Sequence, residues 1–208
     1  MNLFAKSSTS ISGEVVCPGD KSISQRALIL GSILNEDISI EGFLNGEDPI
    51  STANALNAIG SSITVNGTSV SIKKRHIPFK KPTTEVDLGN SGTGMRLMMG
   101  LISSLDIEAT LIGDESLTKR PMLRMANPLN DMGASISCSE GKPPVKIYPG
   151  KVIDNFTYEM PIASAQVKSG IILSALAANK SVTVIEKHPT RNHTERMISH
   201  FHGNIETA

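Results

Sequence analysis

Cationic and hydroxyl side chains gather where a helical pattern begins, in the stretch PGDKSISQR at residues 18–26. Lys21, Ser22 and Arg26 follow an acidic residue, and apolar residues at helical spacing come after them. A helix N-terminus has unpaired backbone N–H groups and partial positive charge, so cations placed there oppose the helix dipole. Such a group of donors could bind an anion, whereas a capped, solvated helix end is the simpler interpretation of this stretch alone.

Two later helix starts have the same character, GNSGTGMR at residues 89–96 and IASAQVKSG at residues 162–170. Arg96 and Lys168 add charge there, and Arg120 and Arg191 stand where second helices are predicted to begin. The glycines lack the spacing of a dinucleotide-binding motif and the Gly-Lys-Ser/Thr ending of a P-loop. The recurrence of this conflict with the helix dipole favours function over solvation.

These starts belong to a sequence repeat, because Ser22, Thr93 and Ser164 are 71 residues apart. Each unit is predicted to run strand, helix, strand, helix, strand, strand. The second helices are predicted to start near Asp48, Arg120 and Arg191, and to end at Gly60, Gly133 and Gly203 in left-handed conformations. The predicted buried stripes of the first helices are Ile23, Ala27, Leu30 and Leu34 in the first unit, and Met95, Met98, Ile102 and Leu105 in the second. Pro128 is predicted to kink its helix or to shift the helix boundary.

The third unit stops at NIETA, after the first strand of its predicted hairpin. A strand without a partner is an exposed edge. We therefore expect this chain to be a piece of a longer protein.

Composition excludes several classes of function. The formal net charge is zero, aromatic residues make up 3% and tryptophan is absent, which argues against nucleic acid or an acidic membrane as partner. Two cysteines and the absence of an apolar leader or a membrane-length apolar run indicate a soluble, cytoplasmic protein. His200 and His202 could pair, but no cysteine or carboxylate cluster completes a metal site, so neither a metal nor a cofactor is predicted. The basic run at residues 73–81 is interpreted as a solvated loop.

Taken together, PGDKSISQR, GNSGTGMR, GDESLTKRPM, ASAQVKSG and PTRNHTERM resemble the 5-enolpyruvylshikimate-3-phosphate synthase family over the whole chain. The resemblance implies an α/β enolpyruvyl transferase-like fold of repeated βαβαββ units, three here with the third incomplete, forming one of the family's two domains. Residues 1–20 would be a strand segment beside the other domain, and residues 21–208 a substrate-binding domain with repeats at about 14–83, 84–153 and 154–208. A monomer is implied for the full-length protein.

The resemblance also implies roles for individual residues. Those assigned to shikimate 3-phosphate are Lys21, Ser22, Arg26, Ser164, Ala165, Gln166 and Arg191. Those assigned to phosphoenolpyruvate are Lys21, Asn90, Gly92, Arg120 and Gln166. Lys21 would lie between the two substrates and is the one catalytic residue expected in this chain.

The implied reaction transfers the enolpyruvyl group of phosphoenolpyruvate to the 5-hydroxyl of shikimate 3-phosphate and releases phosphate. The family's proton-transferring carboxylates would lie in the other domain, so this chain alone is expected to be inactive. Glyphosate is an implied inhibitor. Ala165 resembles the insensitive class, yet Gly92 stands where insensitive members carry alanine, and sensitivity therefore stays open.

Three alternatives remain at this stage. The related transferase that acts on a UDP-amino sugar lacks the Lys-Ser-x-Ser-x-Arg opening, and its reactive cysteine has no clear counterpart, since Cys138 lies in an alternating strand. A non-catalytic module that binds shikimate 3-phosphate and a fragment without function of its own are the other two.

Overall fold

Helices and short sheets alternate along the chain in three related units. The structure is a computed structural model and describes residues 3–207. The first unit contains α1 (Lys21–Leu34), β1 (Ile38–Ile40), α2 (Glu47–Ala58), β2 (Ser62–Asn66) and β3 (Ser69–Lys73). The second contains β4 (Val86–Asp87), α3 (Gly92–Ile102), β5 (Ala109–Ile112), a short 3-10 helix (Leu117–Lys119), α4 (Leu123–Asp131), β6 (Ser135–Ser139) and β7 (Lys142–Tyr148). The third contains β8 (Phe156–Met160), α5 (Ala165–Ala178), β9 (Val182–Glu186) and α6 (His193–His200).

The three sheets follow one plan as far as each extends. The second sheet has the order β4-β5-β7-β6, the first has β1-β3-β2 and the third has β8-β9. Parallel pairing joins β4 to β5 and β8 to β9 across the intervening helix, and antiparallel hairpins join β2 to β3 and β6 to β7. The predicted α/β repeat is therefore confirmed.

No helix or strand forms in residues 3–20. Val15 and Val16 are 83% and 90% exposed there, so the apolar side chains of this segment find no core within residues 3–207. The first unit consequently lacks a counterpart of β4 and β8 among the described residues.

The first helix of each unit faces the interior. In α3 the predicted stripe is confirmed, because Met95, Met98 and Ile102 are fully buried and Leu105 is partly buried. The stripe predicted for α1 is wrong except at Leu30, which is buried. Ile23 and Leu34 are exposed and Ala27 is half-buried. The inward face of α1 instead carries Ser24, Gln25 and Arg26 beside Leu28 and Ile29, since hydrogen bonds to neighbouring helices compensate the burial of polar groups.

Helix ends follow the predicted glycine stop in two units. Gly60 and Gly133 follow α2 and α4 with φ of +106° and +100°. The prediction for Gly203 is wrong, because His202 takes the left-handed conformation with φ of +57°. The Gly203 N–H then donates to the carbonyl of Ile198 at 2.9 Å. This hydrogen bond closes the helix as in the other two units, but the left-handed residue is the one before the glycine.

Prolines near the second helices have different positions. Pro49 lies in the first turn of α2, whereas Pro121 precedes α4, which begins two residues later. Pro128 lies inside α4, and the helix continues to Asp131. No helix within residues 3–207 combines the length and the apolar character needed to cross a bilayer.

Helices α3 and α5 pack backbone against backbone at Gly100 and Gly170. A Cβ added at Gly100 would lie 2.3 Å from the carbonyl oxygen of Gly170, a distance at which the two helices must separate. We expect Gly100→Ala to lower the free energy of unfolding by about 2–3 kcal/mol, measured by urea denaturation.

Gly46→Ala is the matched control for this substitution. Its added Cβ would meet the Leu44 side chain at an ordinary distance of 3.6 Å. Its cost should stay near the loss expected at a helix N-cap, about 0.5–1 kcal/mol. Equal losses in the two variants would contradict the close-contact explanation.

Candidate anion-binding site

The first helices of the three units begin side by side. Gln25 of α1 donates to the hydroxyl of Ser91, the N-cap of α3, at 2.6 Å. Gln166 in the first turn of α5 donates to the hydroxyl of Thr93 in the first turn of α3 at 2.9 Å. Three helix N-termini therefore meet at one end of the fold, where their partial positive charges add.

Arg26 is held in the interface between α1, α5 and α6. The residue is 3% exposed. Its Nε donates to Thr194 Oγ1 at 2.8 Å, its Nη2 to Ser169 Oγ at 3.0 Å and its Nη1 to the Ser22 carbonyl at 3.0 Å. Burial lowers its pKa, and the nearby cation Arg191 lowers it further. A guanidinium has five N–H donors, so two remain for an anion.

Lys21 and Ser22 lie at the outer edge of this group. The Lys21 side chain is 51% exposed, and its Nζ lies 2.7 Å from the carboxylate of Asp48. Ser22 is half-buried. An incoming anion would share Lys21 with Asp48, which keeps the ammonium oriented toward the start of α2.

Two arginines, Arg96 and Arg124, donate to Gln166 and a third, Arg120, lies near Arg96; none of the three has a carboxylate partner among residues 3–207. Arg96 is 5% exposed and donates to Gln166 Oε1 at 3.1 Å. Arg124 donates to the same oxygen at 3.4 Å. Burial, together with the charges of Arg124 and Arg120, lowers the pKa of Arg96 to about 10. Like charges held together in this way repel one another, and a bound anion would relieve that repulsion.

Asn90, Gly92 and Arg120 form the rim of the arginine group. Arg120 donates to Asn90 Oδ1, and Asn90 Nδ2 donates to Asp114 at 2.8 Å. A Cβ added at Gly92 would lie 2.9 Å from Arg120 Nη1 and 3.1 Å from Arg96 Nη1. Glycine therefore lets both guanidinium groups lie against the helix backbone at this position, where a methyl group would displace them. An open groove of about 700 Å³ adjoins Arg120 and Pro121.

The start of α5 presents hydroxyl, backbone and amide groups to the same end. Ser164 is the N-cap and accepts from the Val167 N–H at 3.4 Å, and Ala165 is the first helical residue. Arg191, two residues before α6, is exposed and has no hydrogen-bond or ion-pair partner in the described part of the chain. It lies close enough to Arg26 to lower the pKa of that guanidinium.

Lys168 does not supply free charge to the site, contrary to the sequence prediction. It is 5% exposed and lies 2.6 Å from both Glu186 and Glu195. Burial alone would lower its pKa, but the hydrogen bonds and charges of the two glutamates outweigh burial and hold the pKa above its usual value. This ion triad joins α5 to β9 and α6. It thereby fixes Thr194, the neighbour of Glu195 that accepts from Arg26.

Sequence reasoning missed the residues that support the site rather than form its surface. Thr194, Ser169 and Asp48 orient Arg26 and Lys21, and Arg124 completes the arginine group. Their partners lie up to 168 residues away along the chain, so no local spacing identifies them. Across residues 3–207, no three His, Cys, Asp or Glu side chains come together as metal ligands would.

Comparison with known proteins identifies relatives over nearly the whole chain. The family described as EPSP synthase (3-phosphoshikimate 1-carboxyvinyltransferase) matches residues 5–208. The 3-phosphoshikimate 1-carboxyvinyltransferase of Hydrogenovibrio crunogenus is 47% identical over 200 residues, covering 92% of this chain and 44% of that protein. The corresponding protein of Thermoanaerobacter sp. is 43% identical, covering 99% of this chain and 49% of that protein.

A solved structure of EPSP synthase from Acinetobacter baumannii has a TM-score of 0.87 and 42% identity to this chain. The match covers 94% of this chain and 45% of that structure. The chain therefore spans about half the length of the curated relatives it matches.

The buried ion triad should contribute strongly to stability. Lys168→Met leaves two carboxylates without their cation, and we expect it to lower the free energy of unfolding at pH 7 by about 3 kcal/mol. The pKa of Glu186 is depressed, because the hydrogen bonds from Lys168 and Thr190 outweigh the opposing effect of burial. Its contribution is therefore complete above its unfolded pKa and is lost as pH falls through the folded pKa. Urea denaturation at a series of pH values should show that the native protein and the variant differ less in free energy of unfolding as pH falls below 4.5, the usual pKa of a glutamate side chain.

Lys119→Met is the control, since Lys119 pairs with Glu115 at the same distance of 2.6 Å but on the surface, with side chains 69% and 89% exposed. Its effect should stay within about 0.5 kcal/mol. Similar losses for the two lysines, or a gap that does not change with pH, would rule out a dominant role for the buried triad.

Proposed function

Since the chain belongs to the EPSP synthase family, we propose that it forms the part of a 3-phosphoshikimate 1-carboxyvinyltransferase that binds shikimate 3-phosphate and phosphoenolpyruvate. The group formed by Arg96, Arg120 and Arg124 carries this proposal, because it concentrates positive charge without a protein carboxylate to neutralise it. Phosphoenolpyruvate brings both a phosphate and a carboxylate, and charge-assisted hydrogen bonds to such groups contribute about 1.5–3 kcal/mol each.

The reaction proposed for the whole enzyme is an addition followed by an elimination. The 5-hydroxyl of shikimate 3-phosphate attacks C2 of phosphoenolpyruvate while C3 takes up a proton, giving a tetrahedral intermediate. Loss of phosphate then restores the vinyl ether and gives 5-enolpyruvylshikimate 3-phosphate. These steps require an acid and a base and cations that stabilise the developing charge.

Shikimate 3-phosphate is assigned to the side of the site that Arg26 occupies. The proposed contacts are Lys21, Ser22, Arg26, Ser164, Ala165, Gln166 and Arg191. Arg191 supports this assignment, since it is an exposed cation without a partner beside the buried Arg26. Arg26 supports it with N–H groups that its three protein hydrogen bonds leave free.

Phosphoenolpyruvate is assigned to the side of the site that contains Arg96, Arg120 and Arg124. The proposed contacts are Lys21, Asn90, Gly92, Arg120 and Gln166. Gly92 supports this assignment because its missing side chain lets the guanidinium groups of Arg96 and Arg120 both lie close to the start of α3. Arg96 is a positioning residue in this scheme, because it holds the Gln166 carbonyl oxygen and leaves the amide to donate to Thr93.

Lys21 is the residue of this chain that we assign to the chemical step. It is the half-exposed cation of the Arg26 side, and its ammonium is already oriented by Asp48. Five carboxylates at this end are engaged, Asp20 with the Ile23 N–H, Asp48 with Lys21, Asp114 with Asn90, and Glu186 and Glu195 with Lys168. We therefore propose that the chain alone does not turn over.

The domain division is part of the same proposal. Residues 1–20 are assigned beside a second domain, since residues 3–20 form no helix or strand and expose Val15 and Val16. Residues 21–208 are assigned to a substrate-binding domain with repeats at about 14–83, 84–153 and 154–208. Cytoplasmic location and a monomeric full-length enzyme complete the proposal.

Arg191→Gln tests the assignment of shikimate 3-phosphate. Isothermal titration calorimetry with shikimate 3-phosphate should show binding to the 208-residue chain. The affinity should fall by about 10-fold or more in this variant, since one charge-assisted contact is lost. Thermal stability should stay unchanged because Arg191 has no partner to leave unpaired.

Arg196→Gln is the control, at an exposed arginine five residues later, inside α6. It removes the same charge and should change affinity by less than about threefold. Absence of binding to the native chain, or equal losses in the two variants, would contradict the assignment.

Gly92→Ala tests the phosphoenolpyruvate side. The added methyl would crowd Arg120 and Arg96, and we expect a higher inhibition constant for glyphosate, by about 10-fold or more, because the displaced guanidinium groups bind the inhibitor less well. The assay measures phosphate release by a fusion of this chain with the carboxyl-terminal half of the Acinetobacter baumannii enzyme. That enzyme is a suitable partner because this chain matches 45% of its structure.

The fusion without the substitution should release phosphate, and the 208-residue chain alone should not. A folded fusion without turnover would contradict the proposed activity and favour a binding module. Unchanged glyphosate inhibition in an active Gly92→Ala fusion would contradict the crowding argument alone.

A further inference from the structure

A second cavity lies at the opposite ends of the three inner helices. Ile33 at the end of α1, Ala177 at the end of α5 and Leu105 just after α3 line it, and Ile107 and Phe79 extend its apolar wall. It is half-open, with a volume of about 410 Å³. Along α1, at about 1.5 Å per residue, it lies about 20 Å from the anion-binding end. It shares no lining residue with the proposed substrate site.

Arg75 lines this cavity, and neighbouring groups hold its guanidinium in place. Its guanidinium lies 3.7 Å from the centre of the Phe79 ring, and its Nη1 donates to the Ser32 carbonyl. Its backbone N–H donates to Asn35 Oδ1 at 2.7 Å. Stacking and hydrogen bonding thus fix both the loop and the side chain, and the interpretation of residues 73–81 as a solvated loop is wrong at Arg75.

The charge of Arg75 is not neutralised by a protein group. Its Nε is buried and has no hydrogen-bond partner among the described residues. Lys73 and Lys74 pair with Asp37 and Glu36, so the nearby acids are used by the lysines. Burial lowers the pKa of Arg75, and no carboxylate opposes that effect. The Nη2 group forms no hydrogen bond among the described residues and is not one of the buried atoms, so it can donate to an acceptor oxygen in the cavity.

Asp106 supplies the opposite charge to the same cavity. It lines the cavity, is exposed and forms no ion pair with Arg75. The carboxyl ends of three helices also converge here, and they favour a cation and disfavour an isolated anion. The cavity therefore combines three features of the protein. Arg75 can bind a ligand carboxylate, the apolar wall can bind an apolar group, and Asp106 can bind a ligand ammonium.

We propose that this cavity binds a small carboxylate that carries an apolar group, and that it binds the zwitterionic amino acid form more tightly than the simple acid. The carboxylate pairs with Arg75, the apolar group packs against the side chains at the helix ends, and the ammonium faces Asp106. This site is separate from the proposed substrate site and does not depend on the proposed function.

The test is isothermal titration calorimetry of the 208-residue chain with three probes. L-phenylalanine carries all three groups, 3-phenylpropanoate lacks the ammonium and phenethylamine lacks the carboxylate. We expect 3-phenylpropanoate to bind with a dissociation constant on the order of 1 mM, L-phenylalanine to bind severalfold more tightly and phenethylamine not to bind. Absence of saturable binding by both carboxylates, or binding by phenethylamine alone, would overturn the proposal.

Substitutions assign the contacts. Arg75→Gln keeps a donor for the Ser32 carbonyl and should weaken both carboxylates by about 10-fold or more. Asp106→Asn should weaken L-phenylalanine severalfold and leave 3-phenylpropanoate unchanged. Lys80→Gln, at an exposed neighbour of Phe79 that forms no ion pair among residues 3–207, should change neither, and thermal melts of each variant verify folding. Unchanged affinities in a folded Arg75→Gln variant would refute the carboxylate contact, and equal effects of Asp106→Asn on both ligands would refute the ammonium contact.

Discussion

The fold depends on holding three positively polarised helix ends together with a carboxylate at only one of the three N-caps, Asp20. The N-termini of α1, α3 and α5 meet at one end, with Arg26, Arg96 and Lys21 at or just inside them. Repulsion among these groups is offset mainly by neutral acceptors, since Arg26 donates to hydroxyl groups and a carbonyl, and Arg96 to carbonyls and an amide. Hydrogen bonds of this kind satisfy the donors without an ion pair to either guanidinium, although the charges of Glu195 and Asp20 act on Arg26 from nearby. The charge that remains is the physical basis of the proposed anion-binding site.

The carboxylates of this end are placed where they stabilise the scaffold rather than cancel the site. Glu186 and Glu195 pair with the buried Lys168 at the junction of α5, β9 and α6. Asp48 holds the half-exposed Lys21 at the edge. Buried ion pairs gain little net stability over apolar packing, but they fix geometry. Here that geometry determines where Thr194 lies, and Thr194 in turn positions Arg26.

The two ends of the helix bundle differ in chemistry because the helices are parallel. At the N-terminal end, helix polarity and arginines act in the same direction and favour polyanions. At the C-terminal end, helix polarity opposes the charge of Arg75, which is why the second cavity suits a ligand with both charges. One repeated arrangement therefore produces two sites of different specificity, about 20 Å apart at 1.5 Å per helical residue.

Patterns in the sequence predict the repeat, the α/β class and the approximate starts of the helices, and they identify the cations proposed to face an anion. Those features depend on short-range rules, such as the interval of 71 residues, capping residues and the glycine stops at Gly60 and Gly133. Tertiary structure decided which face of α1 is buried, that Lys168 is neutralised, that His202 rather than Gly203 closes α6, and that Thr194 and Ser169 hold Arg26. Burial of a polar or charged side chain is favourable only when a partner is present, and here most of those partners come from distant parts of the chain. Local spacing therefore shows that a charge is present, while only packing shows whether that charge is free.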